Sequence, residues 1–513
     1  MVFKWRGAKV DHLMADPKQA RQLIEELPAN EGKALEEITY WLESITETPG
    51  FRVEQRYDNV SLLDAAANRR VRKLSLDYLS TPRRMKFQEN RLWIGIFQFW
   101  RALGTAYIAC VDQYDPGHTG LTLIRRSLPL IVARALRALT FQLKWCQLRY
   151  AVVEERIWES IARLYRIAEK RGFSGNAITI YPNSHEGTVR GEFLKAMMLA
   201  ISSMDGLTPL RQEIAERIVS HFSKQFRLSK RAEGCTHCFN LRAPKVPVRL
   251  FKGAESVTGQ IFFGAGMALN ELEELTEQVR QMREVPPEVN LGATYHHDVV
   301  IGAMQHLALY WRTNPPGRSS ERRLVTGRIT VVPGFGDAMQ ALDPTTSDEL
   351  DFSQDKAAES WLVVNVSDGG YGAIIPPQKS DWIRVGTLIG MQSEHSSRWA
   401  IGLIRRIAYD EHNQRHVGIQ TLSRTAIPVR VARAGTTNSS FNVSLAPQAA
   451  ILLSTAPDAK GEVAMILREG LFSVRDGMEM TIGGKSYVLR PVRLIEGGED
   501  FDWAAFRVSQ KKK

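Results

Sequence analysis

The hydrophobic period of this chain changes once, near residues 313–323, and that change limits the fold more than any composition value. Ahead of it, apolar residues recur every three or four positions, the spacing of one helix face. Behind it, they alternate within short β-branched runs, the spacing of a half-buried strand. A pattern written for one period does not bury its apolar face in the other. At the change stands "TNPPGRSSERR", two prolines and a glycine among polar residues, which suits a linker or a strand lead-in.

The helical grammar is explicit. "DPKQARQLIEEL" begins with a capping Asp16 and Pro17 at the first helical position. "EGKALEEITYWLESI" sets Leu35, Ile38, Trp41, Leu42 and Ile45 on one stripe. "EERIWESIARLYRIAEKRG" ends on Gly172, a natural C-cap. Residues 128–150 interleave Leu and Ile with Arg134, Arg137 and Lys144, which we read as a solvated face. No repeat of fixed period is visible, so an all-α bundle or irregular solenoid is expected for residues 1–312.

After residue 323 the runs "RITVVPG", "WLVVNVS", "YGAIIP", "VGTLIGM" and "HVGIQTL" are bounded by turn residues. In "WAIGLIRRIAY" the alternation places Trp399, Ile401, Leu403, Ile407 and Tyr409 on one face. Several short strands of this kind imply an antiparallel barrel or sandwich over 313–430. Beyond "ARAGTTNSS" the pattern resumes, so 431–513 form a second β module or an extension of the first. The expected class is α+β and multidomain.

Between two of these strands lies "NVSDGGYGAII", where Asn365, Ser367 and Gly370 stand at fixed spacing and Gly369 adjoins Gly370. This resembles the [D/N]xSxxG signature of PilZ domains, small β-barrels that bind cyclic di-GMP. The following strands fit that resemblance, closing on Gly418, Ile419 and Leu422, and it spans roughly residues 318–425. A long helical region before such a barrel is similar to atypical cyclic di-GMP receptors of the FimW kind, linked to type IV pili and surface attachment.

The resemblance implies a cyclic di-GMP site at Asn365, Ser367, Gly369 and Gly370. It also implies arginines from an RxxxR element ahead of the first strand. The strict match here is Arg318 to Arg322, followed by Arg323 and, at the start of "RITVV", Arg328. This spacing departs from the family pattern, and an acidic insertion, "SDELDFSQD", separates the arginines from the motif. The chemistry agrees with the implied roles. Asn can accept from the N1/N2 edge of guanine, Ser can bond a phosphate, and glycine admits close backbone approach. Arginine pairs bidentately with phosphate or with guanine O6/N7.

The remaining features bound the function. A net charge of +11 suits an anionic partner. The four cysteines are too few for a disulfide scaffold. Cys235 and Cys238 in "GCTHCF" have zinc-knuckle spacing, but a structural site needs four ligands and no second CxxC exists; His237 lies between them, and His296 and His297 could complete a set only if the fold brings them near, so two small buried thiols is the reading adopted, with no metal. The most apolar segment, 92–111, carries Gln98 and Arg101, so we expect a buried helix, no membrane span and a cytoplasmic protein. No catalytic constellation stands out. The expected protein is therefore not an enzyme and has no catalytic cofactor. The resemblance implies that it takes cyclic di-GMP as ligand and passes that signal to an unidentified protein partner, in pilus or motility machinery. The alternatives are a degenerate barrel acting as a protein scaffold and, third, an RNA- or DNA-binding protein using the Arg134, Arg137 and Lys144 face.

Overall fold

A computed structural model describes residues 10–82, 85–114, 122–182, 186–251, 257–314, 321–343, 358–376, 382–410, 412, 414–433, 447–482 and 484–510. It forms two compact units. One comprises Met1–Met204 and Pro209–Pro316, the other Gly317–Lys513 with Asp205–Thr208.

The first unit opens with α1 (Pro17–Glu25), α2 (Glu31–Glu47), α3 (Val53–Ser80), α4 (Lys86–Gln113) and α5 (Thr122–Gln147). The Asp16 carboxylate accepts from Lys18 N at 2.7 Å and Asn30 caps α2 through Lys33 N at 3.0 Å, satisfying donors that a helix start leaves open. On α2, Leu35, Ile38, Leu42 and Ile45 are buried. Helices α4 and α5 approach closely at Gly104, where a side chain would meet the Gln142 amide. Then come α6 (Glu155–Lys170), which stops at Gly172 with φ +73°, α7 (Val189–Ile201) and α8 (Pro209–His221).

To these helices the structure adds a four-stranded antiparallel sheet. Its strands are β1 (Arg227–Ser229), β2 (His237–Asn240), β3 (Val248–Arg249) and β4 (Gln260–Gly264), in the order β1-β4-β2-β3. The strands are two to five residues long, too short for alternation to show in the sequence. Two more helices, α9 (Ala268–Met282) and α10 (His297–Trp311), complete the unit.

The second unit holds two closed six-stranded barrels. The first uses β5 (Arg323–Pro333), β6 (Glu359–Ser367), β7 (Gly370–Ile375), β8 (Leu388–Ser393), β9 (Ala400–Tyr409) and β10 (Arg415–Ser423), with α11 (Gly334–Leu342) after β5. Its order is β10-β7-β6-β5-β8-β9. The second uses β11 (Ile427–Arg433), β12 (Gln448–Leu452), β13 (Glu462–Arg468), β14 (Met478–Ile482), β15 (Lys485–Gly497) and β16 (Phe501–Gln510), in the order β11-β12-β13-β16-β15-β14. Closure leaves neither sheet with an open edge.

Alternation explains why the barrels pack together. On β12 and β13, Ala450, Leu452, Val463, Met465 and Leu467 fill the second barrel. Their neighbours Ile451 and Ile466 point outward and join Phe501, Leu388, Ile401, Leu403 and Phe335 in a shared core between barrels. Gly390 on β8 lets α11 lie close, since a Cβ there would stand 3.4 Å from Ala338 Cα. The helix start is capped from the other barrel: Phe335 N donates to Asp500 Oδ2 at 2.6 Å.

One expectation is corrected here. The apolar residues of β9 do not share a face. Register shifts by one residue at Arg405, so Ile404 and Ile407 pair with Ile419 and Val417, all four of them buried. Ile401 and Leu403 instead belong to the core between barrels. A bulge inserts one residue and reverses the parity of everything after it.

Candidate functional site

The residues 365–370 form the hairpin joining β6 to β7, with Ser367 paired to Gly370, Val366 to Tyr371 and Asn365 to Gly372. Asp368 and Gly369 are exposed at the tip, while Asn365 and Ser367 are half-buried. Ser367 Oγ donates to Gly370 O at a long 3.5 Å. Asn365 makes no side-chain hydrogen bond to another of the described residues, which leaves its amide available. Being two apart, Asn365 and Ser367 point to one face.

Glycine shapes that face. Gly370 is paired with both Ser367 and Gln420, and a Cβ on it would overlap the Ile419 carbonyl oxygen. Gly369 O accepts from Thr421 N at 2.9 Å, which ties the tip to β10. At Gly372 a Cβ would come within 2.6 Å of Asn365 Oδ1, so the bare position makes room for the amide. Gly372 in turn pairs with Gly418. Gly370, Gly372 and Gly418 thus carry no side chains beside Asn365 and Ser367, with Gly372 lying under the Asn365 amide.

The arginines reach the site by register. Strand β5 starts at Arg323, five residues before the expected position, and pairs Arg323 with Val366 and Leu324 with Asn365. Continuing this register sets Arg322 opposite Ser367, on the face of Asn365 and Ser367. Arg323 falls on the other face, with Val366 and Tyr371. Both arginines are exposed, and neither pairs with an acid among the described residues. Arg328 lies inside the strand opposite Leu362 and donates to Ser360 Oγ at 3.2 Å, roughly 15 Å along the strand from Arg323. The structure therefore gathers Arg322, Arg323, Asn365, Ser367, Gly369 and Gly370 at one end of the barrel and leaves Arg328 apart. Arg318 and the acidic insertion lie outside the described residues.

Two neighbours escaped the sequence reading. Gln420 lies opposite Gly370, and Arg405 Nε donates to its Oε1 at 2.7 Å. Arg405 Nη1 also donates to Glu496 Oε1 of the second barrel at 2.7 Å. Their one sequence signal is the Arg405–Arg406 pair that interrupts the apolar alternation.

Elsewhere, Cys238 is buried on β2 and Cys235 precedes it; burial pushes both thiols upward. The structure does not bring them to His296 and His297, which lie with Asp298 at the start of α10. Helix α4, the only described one long and apolar enough to cross a bilayer, buries Ile96, Phe99, Leu103 and Tyr107 and exposes Gln98 and Arg101, as a core helix does. Arg134 and Lys144 are corrected: they are not a solvated face, their side chains being 11% and 5% exposed. Arg134 contacts Asp64 at 3.6 Å, and Lys144 contacts Glu213 at 2.6 Å and Glu216 at 2.8 Å.

A closed six-stranded barrel with this hairpin has the form of a PilZ module. Residues 335–428 match the family model described as the middle PilZ domain of the cyclic-di-GMP receptor FimW. Residues 18–233 match that described as the N-terminal domain of the same receptor. Together these spans cover more than half of the chain, and the chain belongs to the FimW family of cyclic-di-GMP receptors. Its ligand class is thus cyclic di-GMP, a signal and not a catalytic cofactor. No curated protein matches the chain. The middle-domain match begins after β5, so the arginine-bearing strand lies outside it.

Proposed function

We propose that cyclic di-GMP binds across the β6–β7 hairpin, held by Arg322, Asn365 and Ser367, with Arg323 closing from the other face. The observation that carries this reading is the shared face of Asn365, Ser367 and the register position of Arg322, beside Gly370, Gly372 and Gly418. A guanine presents its N1/N2 edge to Asn365, and a phosphate meets Ser367 and Arg322. Arg318 joins if the segment before β5 folds over the ligand; Arg328 supports the strand instead. Arg323 onward is already paired to β6.

The protein then acts in the cytoplasm as a non-enzymatic effector. Its ligand-bound form presents an altered surface to a protein partner in pilus, motility or surface-attachment machinery, and this response rests on a difference in ligand affinity between two arrangements. Isothermal titration with cyclic di-GMP tests the reading, with GTP and cyclic di-AMP as controls. Specific binding lost in Ser367→Ala and Arg322→Ala supports it. No heat at millimolar ligand refutes it and leaves the barrel as a scaffold.

A further inference from the structure

The helical unit contains a cleft of about 1110 Å³, large enough for a small ligand, that the barrel site does not use. We propose that it is a second ligand site and that it takes a nucleotide, a planar ring bearing phosphate. The cleft lies among α3, α5, α7 and α8, with β1 at one side.

Charge points to an anion. Eight cationic and five acidic side chains line the cleft. Most of the deeper cations are already matched: Lys144 by Glu213 and Glu216, Arg217 by Glu213 at 3.0 Å, and Lys195 by Glu192 at 2.6 Å. Arg137 and Lys224 have no ion pair among the described residues, and Asp64 acts on Arg137 only at longer range. Lys224 and Arg227 are exposed, so a cationic lip stands over a neutralised floor. The exposed acids Glu186 and Glu288 also line the rim but do not offset the excess.

Ring stacking points to a planar group. The Arg137 guanidinium stands 5.2 Å from the Tyr181 ring and 5.5 Å from that of Phe141. Phe141 stacks on Trp100 with centroids 4.3 Å apart. A guanidinium held against two rings keeps its N–H edge free for a bidentate acceptor, as in phosphate or guanine O6/N7. The floor is expensive to maintain. Lys144, Glu213 and Glu216 are at most 7% exposed, and a buried ionic cluster of this kind is often no more stable than apolar packing of the same volume. Such clusters gather at sites that do something. These cations converge on one cavity and do not run along a surface, which favours a single small ligand over a nucleic-acid strand.

The test uses the full chain in equilibrium binding with ATP, GTP and cyclic di-GMP as probes, and with inorganic pyrophosphate and a short single-stranded RNA as comparisons. The variants are Arg137→Gln, the exposed Lys224→Glu, and the barrel variant Ser367→Ala. The expected result is saturable binding of a nucleotide, weakened roughly tenfold or more by Arg137→Gln or Lys224→Glu and unchanged by Ser367→Ala. The proposal is overturned if no nucleotide binds at millimolar concentration, or if all binding disappears with Ser367→Ala. It is equally overturned if neither cleft variant matters, or if pyrophosphate or RNA binds as tightly as the nucleotide. Ser367→Ala separates this outcome from the fate of the barrel site.

Discussion

Gly370 sits against Ile419 so closely that a Cβ on the glycine would overlap the Ile419 carbonyl oxygen. A Cβ on its neighbour Gly369 would meet nothing within 4 Å. Two adjacent glycines thus have different reasons to be there. Gly370→Ala must push β7 from β10, at a cost of about 1–3 kcal/mol, and distorts the hairpin. Gly369→Ala should leave stability near that of the parent. Thermal denaturation of the two variants, with cyclic di-GMP titration of each, checks the contrast; equal melting temperatures would contradict it.

The arginines should separate by parity. Arg322→Ala is expected to weaken cyclic di-GMP binding by about 1–3 kcal/mol, the loss of one bidentate contact. Arg323→Ala, on the other face of β5, should cost less. Arg328→Ala removes the hydrogen bond to Ser360 and should leave affinity almost unchanged. Isothermal titration of the three variants gives the order, and an Arg323 effect above that of Arg322 would reverse the assignment.

The two barrels should not be separable. A chain ending near residue 426 would expose Leu388, Ile401 and Leu403 and lose the Asp500 cap on α11. Such a truncation should aggregate or melt well below the full chain. Within the full chain, Asp500→Ala should cost about 1 kcal/mol. Phe501→Ala, fully buried between the barrels, should cost about 3–5 kcal/mol. Urea midpoints measure all three.

The Lys144 cluster predicts acid sensitivity. Burial alone would raise the Glu216 carboxyl, but Lys144 and Arg217 hold it down at about 2, below its ordinary value of 4.5. A carboxyl depressed in the folded state contributes stability above its unfolded value, and that stability fades as pH falls from 4.5 toward about 2. Urea midpoints should therefore drop across this window, and less so in Glu216→Gln. Lys144→Met should cost about 3–5 kcal/mol at neutral pH, because it leaves buried carboxylates unpaired.

Much of this architecture was legible in advance. The change of period near 313–323 separated helices from barrels because periodicity reports which face is buried, whatever covers it. The caps at Asp16 and Gly172 are satisfied by groups within a few residues, so local chemistry announces them. The 227–264 sheet was not legible, its strands being too short to show a period. Nor was Arg405, whose partners Gln420 and Glu496 come from other strands.

The amino-acid sequence by itself determined the two kinds of secondary structure, the [D/N]xSxxG hairpin with its glycines, and the arginines available to it. Tertiary structure alone decided which of those groups meet. Pairing of β5 with β6 set Arg323 opposite Val366, next to Ser367, and Arg328 opposite Leu362, and the bulge at Arg405 turned Ile401 and Leu403 from the barrel interior to the second barrel. Folding of α3, α5 and α8 took Arg134 and Lys144 out of water and set carboxylates against them. The reason is the same in each case. Period and turn chemistry are properties of neighbours in the chain, whereas register, parity and charge pairing depend on a second segment that the first cannot specify.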